Sequence, residues 1–272
     1  NSDLYQLNKS KKTRVAEETY ALFKRGLEIC ERTGGVLDLT IYPVVKAWGF
    51  TTQDYRVPGD EELAGLLKNV DYRKLELEED RFVSLQDGMM ADLGSVAKGY
   101  TGDRLIELFK FRGITSALIN LGGNVQALGS KPDGSAWKVA IADPNGSSDY
   151  AGVVSVIGKT VITSGAYERF FEEKGKTYHH IIDTSTGWPA ESGFVSVSVI
   201  GEEGTLCDGL STSLFAMGPE KAFEFWKNSN DFEAVFITAE DRIYVTEGVK
   251  DDFTPLGRYK NVTPEVICHD QD

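Results

Sequence analysis

The chain has 272 residues, 41% hydrophobic and 26% charged, enough to bury a substantial core as one large domain or two small ones. Its 42 acidic against 29 basic residues give a formal net charge of −13, a surface that repels phosphate backbones and argues against nucleic acid as a partner. No apolar run reaches bilayer-spanning length, and three scattered cysteines, Cys30, Cys207 and Cys268, exclude a metal finger or disulfide framework. In chain order, Val15, Thr19, Leu22, Phe23, Leu27 and Cys30 recur at roughly helical spacing after Ser10, and Gly34 and Gly35 end that helix. An aromatic loop from Ile41-Tyr42-Pro43 to Trp48-Gly49-Phe50 leads to a second helix, which runs from Asp60, its expected cap, through Leu63, Leu66 and Leu67. Residues 74–77 and 82–85 flank an acidic turn and predict a hairpin. A helix is expected over 96–109, with Leu105, Ile106 and Phe109 on one face. Further strands are expected at 116–120, 137–142, 153–157, 195–200, 234–238 and 243–246. Another helix runs from near Asp208 to Met217, and Pro219 opens the next as a first-turn proline. Strands and helices mix without steady alternation, which favours an α+β fold with mixed sheets.

Four segments concentrate glycine, acid and hydroxyl residues beside apolar runs. They are Gly35-Val36-Leu37-Asp38-Leu39-Thr40, Asp92-Leu93-Gly94-Ser95-Val96-Ala97-Lys98-Gly99-Tyr100, Asn120-Leu121-Gly122-Gly123-Asn124 and Asp208-Gly209-Leu210-Ser211-Thr212. The second has the form of a loop opening a helix, where backbone amides can meet an anion. The fourth sets a carboxylate and a hydroxyl four residues apart on one helical face. Each also has an ordinary reading. Asp208 and Asp92 suit helix caps, Thr212 can bond back to the preceding turn, and Gly122-Gly123 suits a turn or bulge. His179-His180-Ile181-Ile182-Asp183 fits either a strand edge or a histidine general base near an aspartate. His269 lies in a polar tail with no such company.

Taken together, these segments resemble the ApbE-type FAD:protein FMN transferases, in the family's order over nearly the whole chain. Ser2-Asp3-Leu4 to Leu7-Asn8 resembles its serine–acid segment. Gly35 to Thr40 with Pro43 and Trp48-Gly49-Phe50 resembles its G-x-x-D-x-T…P…W-G-F stretch. Asp92 to Tyr100 is similar to D-L-G-x-x-A-K-G-Y, and Asn120 to Gly123 to N-x-G-G. Thr163-Ser164-Gly165 with Tyr167 and Arg169, then His180 to Gly187 with Pro189, resemble T-S-G-x-Y-x-R and H-I-I-D-x-x-T-G-x-P. Asp208 to Thr212 with Met217-Gly218 resembles D-x-L-S-T…M-G, although Gly209 stands where the family commonly has alanine.

The resemblance implies an α+β fold of two lobes around a flavin groove. It also implies a single domain over residues 1–272, lacking the strands and helix that family members carry ahead of the serine–acid segment. It implies Mg²⁺ held by Asp208, Thr212 and a backbone carbonyl near Ser95, with FAD contacts from Val36, Leu37, Asp38, Asp92, Lys98 and Ile182. His180 would assist the chemistry and Asp183 would orient it. The implied activity is transfer of FMN from FAD to a Thr or Ser hydroxyl of an acceptor protein, such as a respiratory redox-complex subunit, with release of AMP. A magnesium-dependent FAD pyrophosphatase and a non-catalytic FAD-binding protein are the alternatives. Family habit implies an extracytoplasmic, membrane-associated location with a lipid anchor upstream.

Overall fold

The computed structural model describes residues 2–145 and 149–269. The chain divides into two compact units, Asn1–Val96 with Arg169–Ala190 and Ala97–Glu168 with Glu191–Asp272. The first begins with α1 (Asp3–Ser10), β1 (Lys12–Arg14), α2 (Glu17–Arg32), α3 (Tyr42–Ala47), α4 (Asp60–Leu67), β2 (Glu76–Leu77) and β3 (Phe82–Ser84). The second opens with α5 (Ala97–Phe111), β4 (Ala117–Leu121), β5 (Asn124–Leu128), β6 (Trp137–Ala142), β7 (Tyr150–Val156) and β8 (Thr160–Gly165). After β9 (Phe170–Glu173) and β10 (Lys176–His179), which return to the first unit, the second resumes with β11 (Phe194–Gly201), α6 (Gly204–Met217) and α7 (Pro219–Lys227). Strands β12 (Phe232–Thr238), β13 (Ile243–Thr246), β14 (Phe253–Pro255) and β15 (Glu265–Ile267) complete it. The α+β expectation holds. No described helix is long and apolar enough to cross a membrane.

In the first unit, Ser2 caps α1 by accepting from the Tyr5 amide at 3.2 Å. The expected long helix starts only at Glu17, because β1 pairs antiparallel with β3 and takes Lys12–Arg14 out of it. Gly34 and Gly35 end it with φ of +63° and +84°, as glycine permits. The aromatic loop contains a short helix, α3, with Pro43 in its first turn, where a missing N–H costs nothing. Gly59, not Asp60, is the cap of α4; Asp60 sits in the first turn, and its Oδ1 accepts from Trp188 Nε1 at 3.1 Å. Trp48 is fully buried among Val44, Phe50, Leu63 and Ile182, and its ring lies against Phe171, Tyr178 and Trp188. Its indole N–H donates to Gly187 O at 2.8 Å, so the largest core side chain leaves no buried donor unpaired.

The second unit is built on a seven-stranded sheet ordered β15-β13-β12-β11-β8-β5-β4. A three-stranded sheet, β14-β7-β6, shares an apolar core with one of its faces: Val125, Val161, Ile200, Val235 and Val245 meet Val139, Ile141, Val154 and Phe253. Strand alternation sends the intervening residues to the other face. On β5, Val125 and Ala127 join that core, while Asn124 and Gln126 reach helices α6 and α5. On β8, Val161 joins the core, while Ser164, three residues on, meets α6. Polar side chains are thus placed beneath α6 by strand parity. Leu105, Ile106 and Phe109 of α5 are only half-buried; its buried positions are Gly99 and Gly102. The helix packs through its glycines.

Candidate active site

The residues of α6 itself are small or apolar around nearly its whole circumference, and the helix is buried almost throughout. Asp208 lies in its second turn and is 5% exposed. The capping reading of Asp208 is corrected here, because α6 starts four residues before it. Asp103 on α5 satisfies the first amides instead: Oδ1 accepts from Gly204 N at 2.7 Å, and Oδ2 from Thr205 N and Oγ1 at 2.8 and 2.6 Å.

Two neutral donors hold the Asp208 carboxylate. Gly99 N donates to Oδ2 at 2.8 Å and Asn124 Nδ2 donates to Oδ1 at 3.0 Å. Burial pushes the carboxyl up to about 6; the two hydrogen bonds and the charge of Lys98 oppose that rise, and Glu168 adds to it. A buried carboxylate in this state gains when a cation binds beside it. The acceptor end of the same amide, Asn124 Oδ1, is buried with no partner among the described residues.

One turn further along α6, the hydroxyls form a directed chain. Ser211 Oγ donates its single proton to Asp208 O at 2.9 Å. The 2.8 Å contact between Ser164 Oγ and Ser211 Oγ then requires Ser164 to donate. The 3.2 Å contact between Thr212 Oγ1 and Ser164 Oγ in turn makes Thr212 the donor. Its proton is thereby directed at Ser164, and its lone pairs remain for a cation. Among the described residues, no group of three His, Cys, Asp or Glu side chains is placed to hold a metal. What α6 offers instead is one carboxylate with neutral oxygen donors, a set suited to Mg²⁺, which keeps several waters or substrate oxygens.

Several other expected site residues converge within the first unit. Asp92 N donates to Leu39 O at 2.7 Å, joining the Asp92 loop to the 35–40 loop. Thr184 Oγ1 donates to Gly35 O at 2.9 Å, bringing in the segment after His180. Val36 is half-buried and Leu37 is buried. Both oxygens of Asp38 are engaged internally: Oδ1 with Thr40 N and Oγ1 at 2.7 and 2.6 Å, Oδ2 with Tyr72 N at 2.9 Å. Burial raises its carboxyl above the usual carboxylate range. Asp92 Oδ1 closes a turn on Gly94 N at 2.9 Å, Ser95 lies in the following turn, and Ile182 is buried with Val44 and Trp48.

His180 and Asp183 each have further contacts close by. His180 Nδ1 lies 3.2 Å from Arg169 O; a carbonyl only accepts, so in this contact Nδ1 is the donor. Asp183 Oδ1 accepts from Ser185 N and Oγ at 2.8 and 2.7 Å, as an Asp-x-Ser turn favours. A main-chain carbonyl thus holds one ring nitrogen of His180. Lys98, Asp208 and Thr212 belong to the second unit, and the other expected site residues to the first. A cavity of about 500 Å³ beside α1 and α3, lined by Tyr5, Lys9, Tyr42 and Lys46, contains none of them.

Sequence reasoning missed Gly99, Asp103, Asn124 and Ser164 as supports of the site. Asn124 and Ser164 carried a signal, since they are polar residues inside or beside glycine-marked motifs in otherwise apolar strands. Asp103 carried none.

Fold and site together define an α+β protein whose buried helix carries a carboxylate and, one turn on, an oriented hydroxyl, oxygen donors of the kind a hard divalent cation takes. The ApbE family matches residues 1–236, and the chain belongs to that family. It is 36% identical over 253 residues to the FAD:protein FMN transferase of Treponema pallidum, covering 87% of this chain and 70% of that protein. Identity to the Escherichia coli K12 protein of the same name is 32% over 217 residues, 77% of this chain and 62% of that one. The crystal structure of the ApbE protein from Thermotoga maritima is similar at a TM-score of 0.84 and 32% identity, covering 90% of this chain and 81% of its own. The apo flavinyl transferase ApbE of Pseudomonas stutzeri is similar at a TM-score of 0.77 and 31% identity, covering 87% and 75%.

Proposed function

We propose that this chain is a magnesium-dependent enzyme that moves FMN from FAD to a Thr or Ser hydroxyl of an acceptor protein and releases AMP. Relatives at 31–36% identity named FAD:protein FMN transferase support flavin transfer. The observation that carries the metal assignment is the pair of Asp208, held by uncharged donors, and Thr212, whose proton points at Ser164.

In the reaction, the acceptor oxygen bonds to the FMN-side phosphorus, the bond from that phosphorus to the bridging oxygen breaks, and AMP departs with that oxygen. The hydroxyl proton passes to a base. Bound Mg²⁺ supplies neutralising charge to the phosphate oxygens. Asp208 and Thr212 hold the ion, joined by a backbone carbonyl near Ser95. Val36, Leu37, Asp38, Asp92, Lys98 and Ile182 are assigned to FAD. Since the carboxylate of Asp38 is engaged internally, its contact to FAD runs through the backbone. His180 takes the proton at Nε2, with Nδ1 held on Arg169 O. The extracytoplasmic, membrane-associated setting is supported by the family resemblance of the motifs, and fractionation of native cells tests it.

The test of function is incubation with FAD, Mg²⁺ and an acceptor protein, with covalent FMN read by mass and AMP by chromatography. Both products should appear together and depend on the acceptor. AMP released at one rate with and without acceptor would replace this reading by FAD hydrolysis.

A further inference from the structure

Asn124 is the side chain whose arrangement in the second unit the catalytic assignments leave unexplained. It opens β5 directly after the Gly122-Gly123 turn, where φ of +61° and +95° requires glycine, and it is 1% exposed. Such a buried amide normally satisfies both ends. Here Nδ2 donates to Asp208 Oδ1 at 3.0 Å, and Oδ1 has no partner among the described residues. The neighbouring Gln126, two residues on and on the same strand face, donates to Gly99 O at 2.8 Å, so the paired amides of β5 fix both α5 and the carboxylate. An unpaired buried acceptor is costly, and the site retains it to keep the amide on the Asp208 carboxylate.

We infer that Asn124 is a positioning residue for the divalent ion, holding the Asp208 carboxylate in place through Nδ2. This rests on the metal reading above. Gly99 N fixes one carboxylate oxygen and Asn124 the other, so the plane of the carboxylate is set before the ion arrives. Partners of this kind, one bond beyond the ligand, typically change metal affinity by about 10–100-fold when removed.

The test uses Mn²⁺ as a paramagnetic probe, titrated into the full chain without FAD and followed by electron paramagnetic resonance. Asn124→Leu keeps the volume and removes both amide ends, and Asn124→Ala is the smaller variant. Both should weaken Mn²⁺ binding about 10–100-fold. Flavin transfer by both should be regained when Mg²⁺ is raised in proportion. Binding within about twofold of the unsubstituted protein would overturn the inference, since a purely structural amide lowers thermal stability without moving metal affinity. Failure of the unsubstituted chain to bind Mn²⁺ would overturn the metal reading instead. Should neither variant fold, Mg²⁺ titration of the unsubstituted, ¹⁵N-labelled protein decides: the side-chain amide signal of Asn124 must shift, and an unmoved signal overturns the inference.

Discussion

Gly99→Ala tests whether the α5–α6 crossing supports the site. A Cβ on Gly99 would lie 2.1 Å from Gly204 O, 2.5 Å from Gly204 C and 2.8 Å from Thr205 N, whereas real Cβ atoms essentially never come within 3.0 Å of such neighbours. All three obstacles are backbone, at the end of α6 that Asp103 anchors, so no side chain can swing aside. The helices must separate by roughly 1 Å, and overpacking of this sort costs about 3 kcal/mol or more. Replacing a helical glycine with alanine returns about 1 kcal/mol. The net loss is about 2–3 kcal/mol, a fall in Tm of roughly 4–12 °C for a protein of this size. Gly65 of α4 is the control: nothing lies within 4 Å of its Cβ position, so Gly65→Ala should gain up to about 1 kcal/mol. Urea melts of the three proteins in chelator measure both differences. The Gly99→Ala protein should also show a smaller Mg²⁺-induced rise in Tm, because Gly99 N is a donor to Asp208. A Gly99→Ala protein as stable as the parent would refute the packing argument.

Asp208 predicts a pH dependence. Its carboxyl has a reference value of 3.8 and is raised to about 6 in the fold, so between these the folded protein keeps a proton that the unfolded chain has lost. Metal-free stability should therefore fall as pH rises through that window, by up to about 3 kcal/mol from this group. Subtracting the profile of Asp208→Asn isolates the effect in urea melts, and a pH-independent difference would contradict it. Asp103→Ala removes three bonds from the start of α6 and should cost about 2–3 kcal/mol in the same melts; a loss under about 0.5 would show that solvent replaces the cap. Thr212→Val keeps the shape and removes the hydroxyl. It should raise the Mg²⁺ concentration needed for half-maximal transfer about 10-fold or more while leaving the metal-free Tm within a few degrees. An unchanged Mg²⁺ requirement would remove Thr212 from the ligand set.

Much of the second unit could be read from its residues. The strand at Ile243–Thr246 and the proline-led helix Pro219–Lys227 show their period and start signals locally, and both form as expected. Strand β5 was missed although its Asn-Val-Gln alternation is a strand signal, because the run is short and follows directly on Gly122-Gly123; every position is buried, the polar face lying against helices. In β8, hydroxyl residues stood in the same way among apolar ones. The start of α6 was misplaced for a different reason: its cap comes from Asp103, 101 residues before Gly204, and no local pattern carries such a partner. Asp208 and Thr212 were legible as a pair by helical spacing. The groups that prepare them, Gly99 N, Asn124 and Ser164, belong to other elements and needed the fold. His180 was found by its motif, but the partner of its Nδ1 is a carbonyl, a group every residue carries and none advertises.

Crystals grown with Mn²⁺ and FAD, with data collected at the manganese absorption edge, address the metal assignment most directly. An anomalous peak within coordination distance of Asp208 Oδ and Thr212 Oγ1, and in contact with the diphosphate of the dinucleotide, is the predicted result. A peak bound elsewhere, or FAD bound while Asp208 keeps only its Gly99 and Asn124 partners, would contradict it.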